Sequence, residues 1–469
     1  MNYLFLILGK DAFYEAMIMM KIIDQMPLEC GIYCMSSELA SMYFRSDERI
    51  FNIILQEGDL DENKKLFEDI INDGKISTIF IMDYHKTFFT DDYQQDYKTI
   101  PFKLEWLESV TIPINLIDYL DALEYNEHNQ VYLSNSSSYN FEEEYEAPVD
   151  AEKDAIYEQI FMDSTAEIKE IILKEKPPKE DMVSKTNIFP NIIKLCPPAQ
   201  SQKENDFDKF IFLNYSIADH TSLETERMKP ALGMAPGKKN VVVFFSYQLL
   251  LKSVMEGKAT HYSIVLETLV IYLKKLNIEV NLFVIASDNI FIQKSQHLKG
   301  SKINFRAFSD LSHHVYKTLI SYADVVITDT VWHPALVDAS SLNIPAGVIG
   351  NSVKIQSDGS VHSDFATTDL KVMALMEKSI QDSPQIFFPY NSFPLKLDFD
   401  PEFTFYNEKF IYYLLDIFSD ESVESFLGEF LVSKSEILEE LNNRQFSYNK
   451  RAELSLRIDE VLQKFDNRL

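Results

Sequence analysis

The fold is decided by the stretch Ala323-Asp-Val-Val-Ile-Thr-Asp-Thr-Val-Trp-His-Pro-Ala-Leu-Val-Asp-Ala-Ser-Ser-Leu-Asn-Ile-Pro345. It begins as a short apolar run, which is typical of a buried strand in a parallel sheet. A helical segment follows at 335–342, where Pro334 suits the first turn and Asn343 suits the left-handed position that ends a helix. The stretch therefore predicts a strand, a turn and a short helix whose amino terminus faces the strand end at 329–333.

Short apolar runs and helical segments alternate on both sides of this stretch. Regular alternation of this kind predicts a doubly wound parallel sheet, which we assign to residues 236–395. Its predicted strands cover residues 240–245, 280–285, 325–327 and 346–349. Its predicted helices cover residues 262–276, 315–322 and 335–342.

The first part of the chain has the same alternation. Strands are predicted at 3–8, 31–35, 50–55, 78–82 and 114–117, and helices at 66–71 and 104–109. One face of a further helix carries Phe13, Ala16, Met17, Met20 and Ile23, which would pack on the sheet. Residues 1–119 are therefore predicted to form a first Rossmann-like domain. The fold class is α/β, with two Rossmann-like doubly wound parallel sheets facing a cleft.

Residues 120–235 interrupt this pattern with a serine-rich run at 134–138, an acidic run at 141–146 and two proline pairs. Such composition is typical of connections, although 151–176 has helical character. Two interpretations stay open: an insertion that covers the cleft, or a solvated linker. Residues 396–469 are charged and are predicted to form a helical C-terminal segment.

The composition limits the classes of function. The formal net charge of −29 disfavours binding to nucleic acid or to an anionic membrane surface, because both carry negative charge. The acidity also has a simpler interpretation, as an aid to solubility. The 3 cysteines are too few for a disulfide framework and form no zinc set, so we expect no metal and a cytoplasmic location. No apolar run is long enough to span a membrane.

The motifs that identify other common α/β enzymes are absent from the sequence. It has no Gly-x-x-x-x-Gly-Lys-Ser/Thr, no Gly-x-Gly-x-x-Gly and no Gly-x-Ser-x-Gly. This removes the simple cases for P-loop, dinucleotide and α/β-hydrolase chemistry. In open α/β sheets, ligands bind beyond the carboxyl ends of the strands, where a helix amino terminus offers free N–H groups to phosphate. The turn at 329–333 is therefore the best candidate for a ligand site.

This stretch resembles the nucleotide-diphosphate-sugar site of GT-B glycosyltransferases. Ala323-Asp324 and Ile327-Thr328 match the entry of the family's strand, Leu336 and Asp338-Ala339 match its helix, and Ile344-Pro345 matches the exit. Val241–Gln248 also resembles the first strand of that family's second domain and its phosphate-contacting serine loop. Phe305–Asp310 resembles the family's base-binding loop. Two departures are visible: Thr330 and Val331 replace paired glycines, and the match of Asp338 requires one extra residue after Leu336.

The resemblance implies a donor site for the nucleotide part of a nucleotide-sugar. Asp338 would hold the ribose hydroxyls, and Thr330, Trp332 and His333 would lie beside the diphosphate. The complete predicted donor set is Ser246, Tyr247, Phe308, Asp329, Thr330, Trp332, His333 and Asp338. A simpler interpretation is that Asp329, His333 and Asp338 only cap and solvate a helix.

Catalytic groups are predicted at the strand ends of the first domain. Many members of the family place a catalytic base after the first strand, where this chain has Asp11 and Glu15. Both residues could instead stabilise the start of the following helix. His85 ends another predicted strand and could act as a base or bind the acceptor, although a lone histidine there is more often a structural neighbour.

The sequence therefore predicts a metal-independent glycosyltransferase-like enzyme that uses a nucleotide-sugar as co-substrate and needs no cofactor. Its acceptor would be a peptide or a small molecule, since the insertion is acidic and rich in aromatic residues. Two other hypotheses remain. A non-catalytic GT-B relative would bind a nucleotide or a partner protein as a scaffold, and an epimerase or hydrolase would turn over the donor without an acceptor.

Overall fold

The structure is a computed structural model of the 469-residue chain. The structure describes residues 1–8, 13–56, 59–82, 102–103, 105–118, 123–125, 131–133, 182–183, 191–196, 211–214, 223–245, 260–286, 298, 302–308, 311–329, 333–350, 353–355, 361–363, 367–382, 412–432, 456–458 and 460–462.

The helices and strands are numbered here in chain order. The helices are α1 Phe13–Asp24, α2 Glu38–Phe44, α3 Leu60–Asp73, α4 Glu105–Glu108, α5 Leu223–Ala231, α6 Thr260–Lys275, α7 His313–Ser321, α8 Pro334–Ser341, α9 Leu370–Asp382 and α10 Asp420–Leu431. The strands of the first part are β1 Asn2–Ile7, β2 Gly31–Ser36, β3 Ile50–Ile54, β4 Ile76–Ile81, β5 Ile114–Asp118, β6 Leu123–Tyr125, β7 Val131–Leu133, β8 Met182–Val183, β9 Asn191–Cys196 and β10 Ile211–Asn214. Those of the second part are β11 Lys239–Phe244, β12 Val280–Ile285, β13 Ile303–Phe308, β14 Val325–Thr328, β15 Ala346–Gly350, β16 Val353–Ile355, β17 Val361–Ser363 and β18 Tyr413–Asp416.

Two large parallel sheets organise the chain. The first has the order β10-β9-β5-β4-β1-β2-β3, and the second has the order β13-β12-β11-β14-β15-β18. In each sheet the chain moves outward to one edge, returns to the centre and moves to the other edge, which is the doubly wound Rossmann order. The predicted fold class, two Rossmann-like sheets in an α/β protein, is confirmed.

The central strands are buried on both faces, as parallel strands covered by helices must be. Every residue of β12 and of β14 is buried, which explains why these strands are continuous apolar runs in the sequence. Two small antiparallel sheets, β6-β7-β8 and β16-β17, accompany the large ones.

Both sheets extend beyond the boundaries that the sequence suggested. Strands β9 and β10 belong to the first sheet although they lie within 120–235, which was interpreted as an insertion or linker. The buried ammonium of Lys194 in β9 lies 3.5 Å from the carboxylate of Asp118 in β5. Likewise, β18 joins the second sheet from within the segment predicted to be helical, before α10 begins. The exact domain limits stay predictions, and the helix predicted at 151–176 lies outside the described residues.

Helix α8 has the start and the end that its sequence predicts. Pro334 occupies its first turn, and His333 is the N-cap residue. Asn343 follows the helix with a φ of 57°, the left-handed conformation that asparagine tolerates better than most residues. These two predictions from local sequence are confirmed.

A line of three asparagines ties the second sheet to the segment that precedes it. Asn240, Asn281 and Asn304 lie side by side on β11, β12 and β13. The Asn281 amide donates to Asn240 at 2.8 Å, and the Asn304 amide donates to Asn281 at 2.9 Å. Asn304 also donates to the carbonyl of Gly233 at 3.0 Å. The buried amide of Asn281 thus finds partners in its two half-buried neighbours, which offset its lost hydration.

The two sheets share one hydrophobic core. Helices α1 and α2 of the first sheet pack against α7 and α8 of the second, and one continuous cluster of buried side chains contains residues from all four. Helix α1 is buried on almost all sides for this reason. A chain whose two sheets share a core behaves as one packed body at that interface.

Candidate functional site

Both sheets reverse their winding between two central strands. The reversal lies between β1 and β4 in the first sheet and between β11 and β14 in the second. Loops that leave the carboxyl ends of such strands diverge and open a crevice, which is where doubly wound proteins bind ligands. The predicted donor residues Ser246 and Tyr247 follow β11, and 329–333 follow β14. The sequence therefore places most of the predicted donor set at the second reversal point.

The carboxyl ends of β1 and β14 meet at a pair of rings. Tyr14 lies in the first turn of α1, which follows β1, and His333 lies between β14 and α8. Their ring centroids are 4.9 Å apart in an edge-to-face arrangement. The ring of Phe244, at the end of β11, lies 4.7 Å from His333 on another side. The carboxyl ends of β1, β11 and β14 thus come together around the ring of His333.

His333 is buried, with 2% of its surface exposed. Its Nδ1 accepts a hydrogen bond from the backbone N–H of Ala335 at 3.1 Å. Because Nδ1 uses its lone pair in this bond, the hydrogen of the neutral ring is on Nε2. Burial, together with the charge of the nearby Lys21 ammonium, lowers the pKa of His333 to about 3. His333 is therefore an uncharged hydrogen-bond donor at neutral pH.

The backbone donors at the start of α8 are already in use. Pro334 has no N–H, Ala335 donates to the His333 ring, and Leu336 donates to the His333 carbonyl at 3.0 Å. The sequence predicts free N–H groups here for a phosphate. In the structure the N–H groups of Ala335 and Leu336 both donate to His333. Nε2 of His333 is therefore the donor at this end of α8 for which the described residues offer no acceptor.

Asp329 directly follows β14 and accepts a hydrogen bond from a tyrosine of the same domain. Its carboxylate is buried, with 4% of the residue exposed. The Tyr262 hydroxyl donates a hydrogen bond to it, and burial together with the charge of Asp329 raises the pKa of Tyr262 well above its ordinary value. Tyr262 packs edge-to-face on Phe245. The carboxylate of Asp329 thus has a fixed position just after the carboxyl end of β14.

The carboxylate of Asp338 forms an ion pair with a residue of the first domain. This carboxylate is fully buried and lies 2.7 Å from the ammonium of Lys21 on α1. The hydroxyl of Tyr316 on α7 donates to the same carboxylate oxygen. The predicted role of Asp338, to bind ribose, stays a prediction, and in this structure the oxygen is used by an ion pair between the two sheets.

Lys21 connects the two sheets through two contacts. Besides Asp338, its ammonium donates a hydrogen bond to the carbonyl of Pro334 at 3.1 Å. Burial lowers the pKa of Lys21, and the charge and hydrogen bond of Asp338 oppose this shift. Lys21 of α1 therefore holds both the first turn of α8 and the carboxylate of Asp338 on that helix.

A second polar cluster joins the same helices at the far end of α1. Asp24 accepts from Nε2 of His313 at 2.9 Å and from the Lys317 ammonium at 2.9 Å, both on α7, and from Arg49 at 2.8 Å. The Tyr43 hydroxyl lies 3.0 Å from Nδ1 of His313. These bonds outweigh the effect of burial and hold the pKa of Asp24 well below its ordinary value.

The other described candidates lie at strand or helix ends. Glu15 is buried, with 6% exposed, in the first turn of α1, one residue after Tyr14. Phe308 is half-buried at the carboxyl end of β13, where it stacks on Phe283 with 6.4 Å between ring centroids. Six candidates lie outside the described residues, and their roles stay predictions: Asp11, His85, Ser246, Tyr247, Thr330 and Trp332.

Three residues of the site were missed by the sequence analysis: Tyr14, Lys21 and Tyr262. The signal for the first two was the composition of α1, Phe-Tyr-Glu-Ala-Met-Ile-Met-Met-Lys-Ile-Ile-Asp, which is apolar on all sides. A helix of that kind is buried all round, so its few polar side chains need buried partners. No local signal marks Tyr262.

Neither a metal site nor a membrane span is found in the described part of the chain. There, no three His, Cys, Asp or Glu residues lie close enough together to hold a metal ion. No described helix combines the length and apolar character needed to cross a membrane.

Several solved structures to which the chain is similar are GT-B glycosyltransferases. Anabaena Alr3699/HepE in complex with UDP-glucose has a TM-score of 0.45 at 10% identity, with 99% of this chain and 100% of that chain covered. The spinosyn rhamnosyltransferase SpnG with spinosyn aglycone has a TM-score of 0.45 at 9% identity, covering 99% of each chain. The glycosyltransferase VinC with DTDP has a TM-score of 0.42 at 9% identity, covering 99% and 98%. Since these TM-scores are below 0.5, the fold assignment depends on the strand orders of the two sheets.

The amino-acid sequence places the chain among related proteins. No curated protein matches it. A family model, however, matches residues 43–463, which include strands of both sheets and all of α7 and α8. The chain therefore belongs to the family of unknown function DUF6365.

Proposed function

We propose that the chain transfers a glycosyl group from a nucleotide-sugar to a peptide or small-molecule acceptor. The observation that carries this proposal is the meeting of the carboxyl ends of β1 and β14 at Tyr14 and His333, 4.9 Å apart. Ligand crevices of doubly wound sheets lie at these strand ends. Two adjacent crevices suit a reaction between a donor bound by one sheet and an acceptor bound by the other.

His333 would serve the donor in this scheme. As an uncharged ring whose Nε2 carries hydrogen, it would donate a hydrogen bond to a phosphate oxygen of the donor. A hydrogen bond to a charged group contributes about 1.5–3 kcal/mol, or roughly 10- to 100-fold in affinity. Negative charge that builds up on the leaving nucleoside diphosphate would strengthen this bond, so it would favour the transition state. The scheme requires no metal ion.

The acceptor would be activated by a carboxylate of the first sheet. Glu15 lies next to Tyr14 and is buried at the same strand end. Asp11 precedes it in the sequence after β1 and is our first candidate, with Glu15 second and His85 third. Each would take the proton of an acceptor hydroxyl.

Stabilisation of the protein by its ligands tests this function. The full chain is heated with UDP-, GDP-, dTDP- and CMP-sugars, because a ligand that binds the native state raises the unfolding temperature. We expect one base to stabilise the chain. His333→Asn keeps an acceptor for the Ala335 N–H but removes the Nε2 donor, so it should lose about tenfold in affinity. His314→Asn, the same change on α7, is the control.

A second function is favoured by a specific observation. The first two N–H groups of α8 and the carboxylate of Asp338 are satisfied within the protein. A chain of this kind would suit a non-catalytic GT-B relative that acts as a scaffold. If no nucleotide-sugar stabilises the chain, the scaffold replaces the enzyme as the proposed function. Turnover of a donor without acceptor would indicate an epimerase or hydrolase instead.

A further inference from the structure

The buried ion pair between α1 and α8 lies beside the proposed donor site. Nζ of Lys21 and Oδ2 of Asp338 are 2.7 Å apart, and neither side chain has exposed surface. The same ammonium donates to the carbonyl of Pro334 at 3.1 Å. Lys21 therefore contacts two groups of the helix that would receive the nucleotide.

Neither charge of this pair can stay buried alone. An ion that leaves water for the protein interior loses several kcal/mol of hydration, which only a close opposite charge or hydrogen bonds restore. Asp338 obtains them from Lys21 and from the hydroxyl of Tyr316. The neighbouring ring of His333 is uncharged and supplies no balancing charge. Without a ligand, the ammonium of Lys21 is the cation that balances Asp338.

A ribose would need the same carboxylate. Vicinal hydroxyls bind by donating hydrogen bonds to its oxygens, and Oδ2 already accepts from Lys21 and Tyr316. The Lys21 side chain also fills the contact between α1 and α8, because it is 1% exposed there. A nucleotide can reach Asp338 only if this side chain withdraws and α1 moves away from α8.

We propose that Lys21 is a latch on the donor site: it holds Asp338 and Pro334 in the ligand-free chain, and nucleotide binding releases α1 from α8. The latch rests on the proposed function, since it assigns Asp338 to the ribose. It makes the apparent affinity for nucleotide lower than the intrinsic affinity, because part of the binding free energy opens the latch. It also couples the donor site to the arrangement of the two sheets.

Hydrogen exchange of the unmodified protein tests the latch directly. Peptides from α1 and α8 are followed in the full chain, with and without a saturating concentration of whichever of UDP, GDP, dTDP or CMP binds. We expect faster exchange in the last two turns of α1 when nucleotide is bound, although ligands usually slow exchange. Slower or unchanged exchange throughout α1 would overturn the proposal.

The variant Lys21→Met tests the coupling. It keeps a long side chain but leaves the buried Asp338 without its cation, so the contact between α1 and α8 is weaker and opens to the ribose at a lower cost. Coupling between two sites typically changes affinity by about 5- to 150-fold, and we expect the variant to bind nucleotide at least about fivefold more tightly. Lys317→Met is the matched control, because Lys317 also bridges the two sheets but pairs with Asp24, 2.9 Å away. It should change the nucleotide Kd less than about twofold.

The outcomes separate the latch from the function on which it rests. If the unmodified chain binds nucleotide and Lys21→Met binds it no more tightly, the latch is wrong and the donor site stands. If neither protein binds any of the four nucleotides, the proposed function is wrong, and the latch is wrong with it. Should Lys21→Met fail to fold, the exchange experiment on the unmodified chain still decides.

Discussion

The burial of His333 leads to a prediction about pH. The ring has an ordinary pKa of 6.5, and burial lowers the pKa to about 3 in the folded chain. The unfolded chain therefore binds a proton in the interval where the folded chain does not. Because the folded pKa is the lower one, acid favours the unfolded state, and stability is lost as the pH falls below about 6.5.

The size of this loss follows from the two pKa values. One pKa unit corresponds to about 1.4 kcal/mol, and at about pH 5 the unfolded ring is protonated while the folded ring is not. The free energy of unfolding should therefore fall by about 2 kcal/mol between about pH 7.5 and pH 5 on account of this one residue. Urea unfolding followed by circular dichroism at several pH values measures the loss.

The variant His333→Asn isolates the contribution of the ring. Asparagine retains the N-cap hydrogen bond and does not titrate, so the pH-dependent loss should be smaller than in the unmodified chain by about 2 kcal/mol. His314→Asn, at a half-buried histidine, is the matched control. If His333→Asn loses as much stability as the unmodified chain over this interval, the reasoning from burial is wrong.

Three further predictions concern stability. Asp24→Asn should cost about 2 kcal/mol at neutral pH, because the partly buried cations Lys317 and Arg49 lose an anion that they share. Since the pKa of Asp24 is lowered, the difference measured by urea unfolding should shrink below about pH 4, and a constant difference would contradict this prediction. Asn281→Ala should cost about 2 kcal/mol by the same measurement, because Asn240 and Asn304 each lose a partner, and no loss would refute the asparagine line. Asn343 has a left-handed φ of 57°, so Asn343→Gly should be neutral or slightly stabilising, and Asn343→Ala should lower the free energy of unfolding by about 1 kcal/mol. Equal melting temperatures of the two variants would refute this.

The alternation of strands and helices could be predicted because its signals are local. The strand predicted at 280–285 has those same ends in the structure, and α8 begins at Pro334 and ends before Asn343 as expected. Burial on both faces makes a strand continuously apolar, and cap residues mark helix ends, so neither depends on distant parts of the chain.

Strands whose partners are remote could not be predicted. Strand β9 contains Asn191 and Lys194, which interrupt an apolar run. Lys194 is nevertheless 3% exposed, because Asp118 on the neighbouring strand supplies the opposite charge. The pairing of β9 with β5 explains why a lysine is buried within the sheet, and that pairing is non-local.

The candidate site was predicted in position but not in its contacts. The sequence placed His333 and Asp338 at the end of β14 and on α8, and the structure agrees. The ion pair between Lys21 and Asp338 could not be predicted, because neither segment alone indicates a partner in the other domain. A lysine in an otherwise apolar helix was the one hint.

The common core of the two sheets has a consequence for dividing the protein. If the chain were cut between α5 and β11, each fragment would expose an apolar helical face, on α1 and α2 in one and on α7 and α8 in the other. Faces of this kind drive association in water. The two fragments should therefore be poorly soluble when produced separately. When produced together, they should reassemble through these faces.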